Sequence, residues 1–197
     1  MTRVPLIAVD LDRTLIREDS ARWLWRKALG SPALFPRVLL RTLLRVLKVS
    51  SQEEFAGFLQ GLLADRPVWV DELKSEILRQ VRKDVVEEAV REAGEGGVIV
   101  LVTASAEVVA NPVAVALGWE CLASRGGGAA PFSYLFGRNK VSRIRGSFPP
   151  GQYDYRWAIS DSPSDAEFLD LFSCRTGPGR LWETDHLEEY RSCSEPR

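Results

Sequence analysis

Three short apolar runs, each stopped by a polar residue, constrain this chain more than any other feature. Residues 5–9 end at Asp10, residues 98–102 end at Thr103, and residues 155–159 lead into Ser160 and Asp161. The first two are continuous and β-branched, and all three are too short for helices. They read as strands covered on both faces of a parallel sheet. Helical patterns alternate with them: 84–94, closed by Gly94, and 107–117, interrupted by Pro112. Residues 118–124 read as a further strand, 126–130 as a Gly/Ala-rich loop, and 132–137 as a hairpin. That alternation predicts an α/β fold with a parallel sheet. Residues 16–83 break it, because they carry helical patterns only, at 20–29, 36–48, 52–63 and 70–82. A helical block lodged between two core strands suggests an inserted cap. The expected division is therefore a core of 1–15 plus 84–197 and a cap of 16–83, with a frayed tail after Tyr190.

Charge and cysteine usage narrow the function classes. Against 26 basic residues stand 27 acidic ones, so no global field favours nucleic acid. Asp10 cuts the first apolar run too early for a signal-peptide core, and no run is long enough to span a membrane; a cytoplasmic location is expected. Cys121, Cys174 and Cys193 are odd in number and form no CxxC pair. They are expected to be reduced and to bind no zinc. His186, the one histidine, sits in a charged C-terminal stretch and reads as a surface residue. Catalysis must come from other groups.

Parallel strands joined by right-handed crossovers bring their C-terminal ends to one edge of the sheet, where open α/β folds bind ligands. Asp10, Asp12, Thr103, Asp161 and Asp165 are expected to meet there, joined by Lys140 from a later loop. Four carboxylates together repel one another without a cation, and Mg²⁺, which takes an octahedron of oxygens, is the natural compensation. Asp10 and Asp12 lie two apart, so an extended backbone turns both to one side. One can attack while the other exchanges a proton with the leaving group. Thr103 and the backbone N–H groups that follow, beginning with Ala104, can hold phosphoryl oxygens where a helix starts. Lys140 can neutralise charge shared by nucleophile and phosphoryl group.

These residues resemble the haloacid-dehalogenase-like hydrolase superfamily. Asp10-Leu11-Asp12-Arg13-Thr14 is similar to its DxDxT signature, and Val100-Leu101-Val102-Thr103 to its second motif, an apolar strand ending in Thr or Ser. Lys140 resembles the lysine of the third motif, with Arg138 and Arg143 as alternatives. Ser160-Asp161-Ser162-Pro163-Ser164-Asp165 resembles the fourth, usually written GDSxxD. The resemblance implies a Rossmann-like core with an all-helical cap of the first (C1) type, shared with phosphoserine phosphatase. It makes Asp10 the nucleophile and Asp12 the general acid/base. Asp10, the Asp12 backbone carbonyl and Asp161 become the Mg²⁺ ligands, Thr103, Ala104 and Lys140 the phosphate binders, and Asp165 a support. Glu18 or Asp19 falls where phosphoserine phosphatases carry an acid for the substrate's amino group. The second Asp of DxDxT favours phosphatases over dehalogenases. Arg13 and Ser160 depart from the pattern, each standing where glycine is commoner.

The implied activity is Mg²⁺-dependent hydrolysis of a small-molecule phosphate monoester, a lipid phosphate included, through an aspartyl-phosphate on Asp10. Two alternatives stand: a catalytically idle binding module at a membrane surface, and a phosphotransferase. The membrane idea comes from residues 36–48. Arg37, Arg41 and Arg45 form a helical stripe among leucines and valines. Such a helix either rests on an anionic membrane as a peripheral contact or is a solvated outer face.

Overall fold

A computed structural model describes residues 2–127, 130–184 and 186–193. Its strands are β1 (Val4–Val9), β2 (Val98–Ala106), β3 (Glu120–Gly127), β4 (Ala130–Ser133), β5 (Tyr153–Ile159), β6 (Cys174–Thr176) and β7 (Arg191–Cys193). Among the described residues they form one sheet in the order β4-β3-β2-β1-β5-β6-β7. The pairs β1–β2, β1–β5, β2–β3 and β5–β6 are parallel, and only the edge pairs β3–β4 and β6–β7 are antiparallel. The three apolar runs are thus the sheet's centre.

The helices are α1 (Ser20–Leu29), α2 (Phe35–Val46), α3 (Gln52–Ala64), α4 (Pro67–Gln80), α5 (Lys83–Ala93), α6 (Glu107–Leu117), α7 (Arg138–Ser147) and α8 (Ala166–Leu169). Period-two alternation splits β1 between two cores: Ile7 and Val9 join Val85 and Ala89 of α5 and Val109 and Val113 of α6. Leu6 and Ala8 join Ile144 of α7 and Phe168 and Leu169 of α8. Helices on both faces make this a Rossmann-like α/β fold. Local chemistry sets the helix ends. Asp19 caps α1 by accepting from the Arg22 N–H, Ser51 and Glu54 form a capping box on α3, and Pro67 opens α4.

Helices α1 to α4 all lie between β1 and α5. The chain leaves and re-enters at one place: Ile16 and Val81 form an antiparallel bridge, and the Arg82 N–H donates to the Leu15 carbonyl at 2.9 Å. No helix of the described residues is long and apolar enough to cross a membrane.

Several expectations need correction. Helix α6 runs unbroken through Pro112, which forfeits one backbone bond while Val109, Val113 and Ala114 hold the helix against the sheet. The hairpin lies earlier than 132–137: Arg125 pairs with Ser133 and Gly127 with Ala130. Gly128 and Ala129 lie outside the described residues. Of the tail after Tyr190, residues 194–197 lie outside the described residues, and 191–193 are more ordered than expected. Residues 191–193 pair with β6, Cys193 is disulfide-bonded to Cys174, and Arg191 ion-pairs with Glu88 and Glu92 of α5. Cys121 alone is free, and burial pushes its thiol pKa up to about 11, so alkylation at pH 8 should be slow and accelerate only under strongly alkaline conditions. Reduction should release β7; a cross-link of this kind contributes about 2–4 kcal/mol, read as a fall in melting temperature with dithiothreitol that Cys193→Ser reproduces.

Candidate active site

Asp10 leaves the end of β1 with its N–H donating to the Ile159 carbonyl of β5 at 3.0 Å. The chain then turns tightly. The Leu15 and Ile16 N–H groups reach back to the Asp10 and Leu11 carbonyls, and Arg13 sits at φ 56°. A positive φ explains why glycine suits this position; here Arg13 bears the cost and its guanidinium ion-pairs with Asp19 at 3.2 Å. The turn buries Thr14, whose hydroxyl accepts the Asp161 N–H at 3.0 Å, clamping the fourth motif to the first.

Lys140 is in the first turn of α7, not in a loop, and only 2% exposed. Its ammonium donates to Asp10 Oδ1 at 2.8 Å and to Asp165 Oδ2 at 2.6 Å. Arg138 instead pairs with Glu167 on the surface. Ser160 is fully buried and donates to Asp165 Oδ2 at 2.7 Å, so the departure from glycine positions a carboxylate. Behind it Gly177 approaches so closely that a Cβ would fall 2.1 Å from the Ser160 carbonyl oxygen. Any side chain there would displace the strand end that carries Asp161.

Asp12 is held differently. Its Oδ1 accepts the Ser20 N–H at 2.6 Å and its Oδ2 accepts the Ser105 hydroxyl at 2.6 Å, with Ser20 Oγ and Ser105 Oγ 2.7 Å apart. Thr103 is 1% exposed and accepts the Ser105 N–H at 3.0 Å. Ser20 and Ser105 carry no motif signal of their own; only the three-dimensional register puts them beside Asp12. The spacing of Ser105, two residues past Thr103 on an extended strand, was the one clue available.

Asp10, Asp12, Thr103, Ala104, Lys140, Asp161 and Asp165 all line one cavity of about 480 Å³. Asp19 lines it too, whereas Glu18 is exposed and does not. Burial raises the Asp10 pKa to about 7, with Asp165 and Asp12 adding to the rise against Lys140. Burial likewise lifts Asp161 to about 6, partly offset by Arg13, and raises Asp12, with Asp19 adding to it. For Lys140, burial works to lower the pKa, but the Asp10 and Asp165 carboxylates outweigh it and leave the ammonium firmly charged.

Too much negative charge is gathered here for one lysine to balance. Asp165 Oδ1 is buried without a hydrogen-bond partner. Among the described residues no three His, Cys, Asp or Glu side chains form a metal cluster by themselves. A set of two carboxylates, Asp10 and Asp161, completed by the Asp12 carbonyl and water is an all-oxygen set suited to Mg²⁺, which keeps several waters. The residues fit the ion. Carboxylates raised above 3.8 to about 6 and 7 favour the fold below pH 4 and cost stability as pH rises through 7. Calorimetry in EDTA should therefore give a higher melting temperature at pH 5.5 than at pH 8, and Mg²⁺ should raise it more at pH 8.

The haloacid dehalogenase-like hydrolase family model matches residues 7–170. A search of curated proteins finds no match. Among solved structures, a protein of unknown function from Bordetella pertussis Tohama I superposes with a TM-score of 0.73 at 24% identity, over 88% of this chain and 89% of that one. A phosphoserine phosphatase captured as a phospho-aspartyl intermediate analogue gives 0.57 at 17% identity, over 100% and 95%. A phosphoserine phosphohydrolase-like protein from Francisella tularensis subsp. tularensis SCHU S4 gives 0.55 at 20%, over 87% and 85%. At these identities the superpositions establish a shared fold. Motif order, fold and family match agree: the chain belongs to the haloacid dehalogenase-like hydrolases.

Proposed function

We propose that the protein is a Mg²⁺-dependent phosphatase that hydrolyses a phosphate monoester through an aspartyl-phosphate on Asp10. The observation that carries this is the unequal treatment of two adjacent carboxylates. Among the described residues Asp10 is gripped by a side chain on Oδ1 only, by Lys140, while Asp12 is oriented on both oxygens by Ser20 and Ser105. One is arranged to attack and the other to move a proton.

In the first step an Asp10 oxygen forms a bond to phosphorus and the phosphorus–alcohol bond breaks. The departing alkoxide takes a proton from Asp12, whose raised pKa suits it to hold one. In the second, Asp12 takes a proton from water as the water oxygen bonds to phosphorus and Asp10 leaves. Lys140, Thr103 and the Ala104 N–H bind the phosphoryl oxygens. Asp10, Asp161 and the Asp12 carbonyl would hold Mg²⁺, which supplies charge neutralisation when bound. Residues 16–83 act as a cap that excludes water over the phosphoryl group. Acid-quenched enzyme should carry a hydroxylamine-labile phosphoryl group mapping to Asp10. Its absence, with phosphate still released, would end the two-step reading; phosphorylated alcohol in place of free phosphate would favour a phosphotransferase.

A second, separable reading concerns α2. Its outward surface exposes apolar side chains beside charged ones: Leu39, Leu40, Leu43, Val46 and Leu47 are 50–70% exposed, and Arg37 and Arg41 are exposed as well. Residues 20–52 contain no acid and seven basic residues, Arg22 and Lys48 among them. Arg37 and Arg41 lie over the Phe58 ring at 5.4 and 5.6 Å beside this surface. An apolar face bordered by cations suits the surface of an anionic bilayer. Sedimentation with phosphatidylglycerol vesicles should be strong in low salt and weaken in 0.5 M NaCl and in Leu43→Glu; equal binding to neutral vesicles would count against it.

A further inference from the structure

Beyond the phosphoryl end, the cavity continues between α1, α3 and α4 as an aliphatic chamber. Its walls are Leu24, Ala56, Leu59, Leu63, Leu73 and Val109. All but Ala56 are at most 4% exposed. Helices α1 to α4 contribute no charged side chain to this lining among the described residues.

The cations that face the cavity are already engaged. Lys140 serves Asp10 and Asp165. Arg13 pairs with Asp19, and Asp19 also caps α1 through the Arg22 N–H. An amino-acid leaving group brings an ammonium and a carboxylate, and placing both against leucines without partners is costly. Asp19 is therefore badly placed for the amino-group role that its position in the sequence suggested. The polar groups that α3 adds are neutral: Gln52 donates to the Tyr134 hydroxyl at 3.3 Å, and Gln60 donates to the Ala104 carbonyl at 3.0 Å. Gln60 Oε1 is buried with no partner, a single acceptor available to one substrate donor.

We propose that the alcohol released is uncharged and hydrocarbon-rich, an aliphatic chain of several carbons lying along α1, α3 and α4 with room for one hydroxyl at Gln60. This deepens the phosphatase reading and rests on it. A leaving group of this kind gains affinity through burial, about three- to fourfold for each methylene taken out of water.

The test measures kcat/KM with Mg²⁺ for ethyl, butyl, hexyl and octyl phosphate, for phosphoserine, and for acetyl phosphate, an activated acyl phosphate with no hydrocarbon chain to bury. Supporting results are turnover of acetyl phosphate, a rise of about threefold per methylene up to a cut-off length, and hexyl phosphate exceeding phosphoserine by more than tenfold. In Ala56→Phe, checked for folding by thermal denaturation, the cut-off moves to shorter chains. A flat series, an unmoved cut-off in the folded variant, or preference for phosphoserine overturns the assignment while acetyl phosphate turnover keeps the phosphatase reading. No turnover of acetyl phosphate or of any ester overturns both.

Discussion

Asp10→Asn should abolish phosphate release, by a factor on the order of 10⁴ or more as for loss of other nucleophiles, without weakening the fold. Asparagine has the same shape and keeps an oxygen for Lys140, so the packing around the 2.8 Å contact survives. What disappears is a carboxylate whose burial raises its pKa to about 7. At pH 8 wild-type Asp10 is ionised in a setting that resists ionisation, and the amide removes that cost. Melting temperature in EDTA at pH 8 should thus be unchanged or higher in Asp10→Asn, while the increment from Mg²⁺ shrinks. A variant both inactive and strongly destabilised would mean that Asp10 is chiefly structural; retained turnover would remove Asp10 as the nucleophile, and no turnover in the wild type would favour the idle-module alternative.

Lys140→Met makes the opposite prediction for stability. Methionine fills a similar volume but leaves Asp10 and Asp165, both nearly inaccessible, without the cation between them. Breaking a buried ion pair by removing one partner costs about 3–5 kcal/mol. The sign of the pH dependence follows. Without the ammonium Asp10, whose pKa burial already raises, favours protonation in the fold still more, so the deficit should be largest at pH 8 and shrink towards pH 5. Denaturant titrations at the two pH values measure this, and adding Asp165→Asn to Lys140→Met should recover part of the loss. A deficit independent of pH would point to packing alone.

The strands and the convergence of acidic tips were legible because both depend on local pattern. A five-residue apolar run ending in Asp encodes its own length and burial, and parallel topology then places Asp10, Thr103 and Asp161 on one edge. Lys140 was placed by motif order, although its helical setting was not visible. The hydroxyls of Ser20 and Ser105 were illegible because their meeting depends on a register across 85 residues. Periodicity on α2 revealed a basic stripe and an apolar arc but not which arc turns inward; one residue, Val38, decides that by being buried. The Cys174–Cys193 bond was missed because it requires β7, a strand of three residues whose pairing partner is equally short.

The grip on Asp12 has a mechanical corollary. One of its oxygens is tied to the first residue of α1 and the other to the strand side, through Ser105 at the tip of β2. The residue proposed to handle the proton would therefore tie the two parts of the molecule together, and lifting α1 would break one of its two bonds. Alignment of the acid and seating of the helices become a single event, so an enzyme with its upper helices ajar would hold an ill-aimed acid and squander little on bulk water.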